Sequence, residues 1–433
     1  MSDNLFDKTY SRRVFLQQGV TFASMLATTP LFLERSAGAM MQPIGSQISS
    51  QPGVPEDRVL VVVQLGGGND GLNTVVPYGD AMYYNRRPGL AVPEPGRGDN
   101  AALPFDQQAG IGLHPNFKGF KSLIDEGVAS VVQGVGYPNP NRSHFTSMDI
   151  WHTADPAGKG RGWLGKFYDN TCQGAPNLDC HPPIAIGNEA PRALVGKTQK
   201  PISFESSDLF RWVGEDLHES LGKPYETITR AGRLEGVDQN SQQAFLMRTA
   251  LDAQVSSDRI RKAVDARPLV SYPRGALARQ LQTVGAMIRD DMPTRVYYVS
   301  LSGFDTHANQ PGRHNNLLRQ LGDSLRAFYD DLKAQGNSGR VLTMVFSEFG
   351  RRVAQNASAG TDHGTAAPMY FVGDMVRPGL LGTHPSLTDL DQGDLKYNVD
   401  FRSIYTGVLK DWMGADAEKV LRGQFRKAKL FRT

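Results

Sequence analysis

Apolar positions along the chain fall into short continuous runs separated by longer amphipathic stretches. "VLVVVQ" (Val59 to Gln64) places five apolar residues in succession before the glycines of "LGGGND", the pattern of a buried strand. Similar runs recur over "VASVVQGVG" (Val128 to Gly136), "TRVYYVSLSG" (Thr294 to Gly303), "RVLTMVFSEFG" (Arg340 to Gly350) and "APMYFVG" (Ala367 to Gly373). Between them, "NFKGFKSLIDEG" and "RHNNLLRQLGDSLRAFYDDLKAQG" carry helical periodicity. Strands alternating with amphipathic helices predict an α/β domain with a mostly parallel sheet. From about 158 to 289 the chain is loop-rich and then helical, which predicts a cap-like insertion. No internal repeat is visible.

In open α/β sheets the ligand site lies beyond the carboxyl ends of the strands. Four of these strands lead into polar residues there. The first presents Asp70 and the second leads to Arg142, Ser143 and His144. The third gives Asp305 and His307 in "FDTH", and the fourth gives Glu348 and Arg351 before "TDHGT" supplies Asp362 and His363. Carboxylates and imidazoles gathered from several strand ends are what a divalent metal requires. Asp362 is placed to orient the ring of its neighbour His363. Each segment also has a plainer reading. Asp70 and Ser143 would serve as helix N-caps, Asp305 would close a turn, and Glu348 would pair with Arg351 or Arg352 on the surface. A phosphate loop or dinucleotide site is disfavoured, because neither GxGxxG nor a P-loop lysine is present.

Charge and the N-terminus narrow the picture. The formal net charge is +3, too near neutral to suggest nucleic acid as the partner. "SRRVFLQ" (Ser11 to Gln17), a moderately apolar run and "AGA" (Ala37 to Ala39) read as a twin-arginine signal peptide over 1–39, followed by a flexible tether over 40–57. Engagement of the twin-arginine export machinery, periplasmic or secreted localisation and no permanent membrane span are therefore expected. Cys172 and Cys180 are the only cysteines. A disulfide between them is favoured over a zinc site, for which His181 is the only neighbouring ligand.

"LGGGNDGLNTVVPY", "NRSHFTSMDIW", "FDTHANQ", "SEFGRR" and "DHGTAAPMYFVG" together resemble family fifteen-oh-one of bacterial domains of unknown function, over nearly the whole chain. That family is similar to the alkaline phosphatase and sulfatase superfamily. The resemblance implies a central mostly parallel sheet with helices on both faces, over 58–433. It also implies divalent metal at the strand ends and a serine nucleophile. By that likeness Asp70 and Glu348 bind one metal, Asp305, His307 and His363 bind another, and Ser143 is the nucleophile with Arg142 and His144 beside it. Arg142 or Arg351 would neutralise substrate oxygens. Three departures stand out. Glu348-Phe349 replaces an Asp-His pair, which leaves His144 to supply an imidazole. The Asp-to-His spacing in "DTH" is unusual, and no CxPxR motif surrounds Ser143.

The expected function is hydrolysis of phosphate or sulfate esters, in a small molecule or a polymer. The cofactor expected is a divalent metal: zinc first, with manganese, calcium or magnesium as alternatives. The competing reading is a catalytically idle metal-binding scaffold of a cell-surface assembly. An open metal position would favour the enzyme and a closed one the scaffold.

Overall fold

The computed structural model describes residues 57–171, 181–197, 201–205 and 260–432. The signal peptide, most of the tether and the Cys172–Cys180 pairing lie outside them. Apart from 260–262, the described residues belong to one unit formed by Gln42–Glu205 and Ala263–Thr433.

The five apolar runs all form strands of one sheet. In chain order the strands are β1 (Val59–Gly66), β2 (Val75–Val76), β3 (Leu103–Asp106), β4 (Ile111–Leu113), β5 (Ala129–Gly136), β6 (Ile184–Ile186) and β7 (Ile202–Phe204). There follow β8 (Val296–Ser302), β9 (Val341–Ser347), β10 (Ala367–Val372), β11 (Gly379–Leu381), β12 (Leu390–Asp391), β13 (Asp394–Leu395) and β14 (Val399–Asp400). The main sheet runs β11-β5-β10-β9-β1-β8-β6-β7, with β14 also on β5. β1 is central and parallel to both β8 and β9, so its backbone is paired on two sides. Only β10 runs against its neighbours, antiparallel to β9 and β5. The loop that enters β10 therefore lies at the same pole as the carboxyl end of β9.

Alternation along β1 divides the core. Leu60 and Val62 join a buried cluster with Trp151, Phe167, Phe401 and Trp412, drawn from the helices His144–Thr153 and Trp163–Thr171 and from the C-terminal region. Val61 and Val63 are equally buried but stand outside that cluster, as side chains on the other face must. The helices Lys118–Asp125, Ala276–Arg289 and Gln310–Ala334 pack on one another and against β5 and β8, and their buried leucines are likewise outside it. Helices thus cover both faces, as an α/β sheet requires.

Within the segment read as a cap-like insertion, the structure adds β6 and β7 to the edge of the main sheet. The helix Trp163–Thr171 is buried over seven of its nine residues. Runs of three residues are too short to carry a period, which is why they read as loop. Among the described residues no helix is long and apolar enough to cross a membrane.

Candidate metal centre

The glycine run after β1 is explained by crowding rather than by phosphate. Gly67 has φ +117°, and a Cβ there would lie 2.4 Å from the Asp305 backbone nitrogen. Gly68 has φ +75°, and its Cβ would fall 2.4 Å from the Phe349 ring. Only glycine satisfies both the dihedral and the contact. Gly67→Ala is expected to destabilise the protein by at least about 2 kcal/mol, since strain at a positive φ adds to a backbone clash. Chemical denaturation of the variant checks this.

This tight approach brings the ends of β1, β8 and β9 together. Beyond them His144, Asp305 and His363 offer ligand atoms that all lie within 4.8 Å of one another. Asp305 Oδ1 is the hub: it lies 3.0 Å from His307 Nε2, 3.1 Å from His363 Nε2 and 3.5 Å from His144 Nε2. The Nε2 atoms of His307 and His363 are themselves 2.9 Å apart.

The other nitrogen of each ring fixes its tautomer. His144 Nδ1 is 2.8 Å from Glu348 Oε1, His307 Nδ1 is 3.2 Å from Asp362 Oδ1, and His363 Nδ1 is 2.8 Å from the Arg142 carbonyl. Carboxylates and carbonyls only accept, so each neutral ring carries its proton on Nδ1 and turns a lone pair on Nε2 inward. Three lone pairs and a carboxylate oxygen then converge with no proton between them. His144 Nε2 is buried and has no hydrogen-bond partner. An orphaned acceptor at the meeting point of other acceptors calls for a cation. The spacing fits one: ligands about 2.0–2.1 Å from a tetrahedral ion stand about 3.3 Å apart.

The surrounding charges agree. Burial alone would raise the Asp305 pKa, but the hydrogen bond and positive charge of Arg351 lead the groups that outweigh it and hold it at about 2. The hydrogen bond to Glu348 raises the His144 pKa against the opposing effect of burial. A hydrogen bond from Asn356 leads the groups that lower the Asp362 pKa. Asn356 Nδ2 also donates to the His307 carbonyl at 2.9 Å, which ties the His307 and Asp362 loops together.

The structure places several expected site residues elsewhere. Asp70 does not reach the hub. It is fully buried, accepts from Arg87 Nη1 at 2.6 Å and Gln310 Nε2 at 2.5 Å, and caps the short helix Gly71–Thr74. Its charge is already neutralised by Arg87, a residue that nothing in the sequence marks. Glu348 stands one layer back. Its Oε1 accepts from Gly67 N as well as facing His144, and its Oε2 accepts from Ser347 Oγ. It aims a ring rather than pairing with Arg351 or Arg352. Glu348→Gln removes the charged acceptor behind His144 and should weaken metal binding about 10- to 100-fold, the usual cost of losing such a partner; competition with a chelator measures it.

Two arginines expected to meet substrate are committed to partners within the chain, Arg351 in the interior and Arg142 with its side chain 38% exposed. Arg142 pairs its guanidinium with buried Asp394 and offers the site its carbonyl. Arg351 is 1% exposed and binds the carbonyls of Gly67, Gly68, Phe304 and Thr361 together with Asp305. Asp362 orients His307, not its neighbour His363. Phe349 packs its ring against both His144 and His363, at 4.9 and 4.8 Å between centroids. Ser143 occupies the N-cap position of the helix His144–Thr153, yet its side chain makes no capping bond and is exposed. Arg87 and Gln310 carry no local mark because each acts through a residue distant along the chain, and Asn356 carries none because its link to His307 is made across 49 residues.

The fold and the site define an α/β protein with a histidine-rich candidate metal centre at the carboxyl ends of a mostly parallel sheet. The family described as "Protein of unknown function (DUF1501)" matches residues 119–425, and the chain belongs to it. No curated protein matches the chain. Solved structures similar to it include the C-terminal periplasmic domain of EcEptC from Escherichia coli in complex with Zn, at 9% identity over 77% of this chain and 77% of that one, TM-score 0.33. A protein in the alkaline phosphatase superfamily from Vibrio parahaemolyticus is 10% identical over 82% and 71%, TM-score 0.34. The PsFucS1 sulfatase from Pseudoalteromonas sp. is 12% identical over 86% and 70%, TM-score 0.34. Likenesses this distant bring no activity with them, and the functional reading rests on the residues.

Proposed function

We propose that this chain is an exported, metal-dependent hydrolase of phosphate or sulfate esters, with one divalent ion held by His144, Asp305, His363 and His307 and with Ser143 as nucleophile. The observation that carries it is the convergence of three Nε2 lone pairs and Asp305 Oδ1. A set of three imidazoles and one carboxylate suits zinc and disfavours calcium and magnesium, which prefer oxygen ligands.

The site is open. The side chains of Asp305 and His307 are 45% and 44% exposed, and those of His144 and His363 30% and 22%. Structural metal sites close around the ion, whereas catalytic sites leave a position for substrate. When bound, a divalent ion supplies positive charge that polarises an ester oxygen and lowers the pKa of a nearby hydroxyl. Ser143 offers that hydroxyl, uncommitted to capping and at the positive end of a ten-residue helix, next to His144. Asp305 and the imidazoles aimed by Glu348, Asp362 and the Arg142 carbonyl hold their ligand atoms fixed. A cavity of about 330 Å³, walled in part by Glu348, Phe349, Tyr137 and Tyr397, leaves room nearby for the alcohol portion of an ester. The N-terminal twin-arginine pattern supports export.

Metal analysis of the purified protein with a panel of phosphate and sulfate esters tests the reading. Ser143→Ala should abolish turnover and leave metal content unchanged. Metal without turnover of any ester would favour the scaffold, for which the internal commitment of Arg142 and Arg351 speaks. Absence of bound metal would end both readings.

A further inference from the structure

A second concavity lies at the other pole of the sheet. The candidate metal centre sits beyond the carboxyl ends of β1, β8 and β9, whereas Arg58 immediately precedes the first residue of β1. Around Arg58 opens a cavity of about 780 Å³, lined by five cations, Arg58, Arg377, Lys427, Lys429 and Arg432, and by one carboxylate, Asp411. These cations come from three separate stretches of chain: the entry to β1, the turn after β10 and the C-terminal tail. Their meeting is made by tertiary structure and is not a local charge run.

Like charges brought together repel, and at 0.1 M salt the repulsion is screened only beyond about 10 Å. Asp411 offsets part of it, through Lys427 Nζ at 2.8 Å. Arg58 donates to the Asp411 carbonyl and Arg432 to the carbonyls of Val376 and Gly127, neutral acceptors that leave the charge in place. Arg377 and Lys429 have exposed side chains with no ion pair among the described residues.

The walls are held firmly. The Arg58 guanidinium lies 4.5 Å over the Trp412 ring, which stacks on Phe431 and donates through Nε1 to the Val59 carbonyl. Backbone bonds from Arg377 to Leu430 and from Arg432 to Met375 fasten the tail to the turn after β10. Arginine forks on fixed supports, beside lysine ammonium groups, are the chemistry that binds clustered phosphate or sulfate groups.

We propose that this cavity is a binding site for a discrete, multiply charged phosphate- or sulfate-bearing anion. It is separate from the candidate metal centre and independent of the ester-hydrolase reading. Its concavity favours a ligand that enters over a flat anionic surface.

Titration calorimetry of the full chain with sucrose octasulfate at about 0.15 M salt, a physiological ionic strength, tests this. Saturable binding near one per chain is expected. R377Q/K429Q should weaken it at least about tenfold, since hydrogen bonds to charged groups are the stronger kind, with an unchanged melting temperature. K419Q/R426Q removes two exposed cations outside the cavity and should bind as the unaltered chain does. Absence of saturable binding, or equal loss in both variants, overturns the proposal. Cosedimentation with phosphatidylglycerol vesicles separates the sources. Vesicle binding displaced by sucrose octasulfate would place the anion on a lipid headgroup, and calorimetric binding without vesicle binding would make it a free anion. Vesicle binding that neither the competitor nor R377Q/K429Q reduces would overturn the cavity as the site.

Discussion

Asp70→Ala is expected to lower the unfolding free energy by about 3–5 kcal/mol, the cost of leaving one member of a buried ion pair alone. Asp70 and Arg87 are each 0% exposed and 2.6 Å apart. Removing the carboxylate strands a guanidinium that also holds the carbonyls of Val353 and Arg352 and the Asn73 side chain. Gln310 loses its acceptor too, and Gln310 bonds Thr306 and Thr361, which border the candidate metal centre. Chemical denaturation gives the magnitude. Replacing both partners together, as Asp70→Leu with Arg87→Met, should recover part of the loss, because a matched apolar pair leaves no unpaired charge. The pair also has a pH signature. Burial would raise the Asp70 pKa, but Arg87 outweighs it and the folded value is lowered. Its contribution is therefore complete above the unfolded value of about 3.9 and is lost as pH falls through the folded one. In Asp70→Ala that part of the acid sensitivity should disappear.

The second large effect is expected at the candidate metal centre. His363→Ala should reduce metal affinity by more than about 100-fold, beyond the range for an outer partner such as Glu348. His363 is the ring that ties the set together: its Nε2 faces both Asp305 and His307, and its Nδ1 is fixed by the Arg142 carbonyl. Elemental analysis after dialysis against a weak chelator should find metal in the unaltered protein and almost none in the variant. Retention of metal by His363→Ala would remove the centre from these residues altogether. Fold integrity is a separate readout, because the side chain is partly exposed, although the buried Phe349 ring packs against it.

The five apolar runs were legible because a strand buried on both faces needs an unbroken apolar series. Asp305 and His307 were legible because they closely follow such a run, His144 because it lies in the loop after the second, and His363 because it stands in the loop between the fourth and the fifth. Asp70 follows a strand equally directly and still goes elsewhere. What redirects it is Arg87, seventeen residues on. Glu348 looked like a ligand for the same reason, and His144 turns it into a support. The reversed direction of β10 was invisible, since its apolar run is the same whichever way the strand points. β6 and β7 were invisible because three residues carry no period.

The chain by itself determined that a buried sheet would form and that acids and imidazoles would stand at its strand ends, since apolar runs and the residues following them are local properties. Which of those groups meet, and which are neutralised before they can, was decided only in three dimensions. A carboxylate's role depends on the charge a few ångströms from it, and that neighbour arrives from a remote part of the polypeptide.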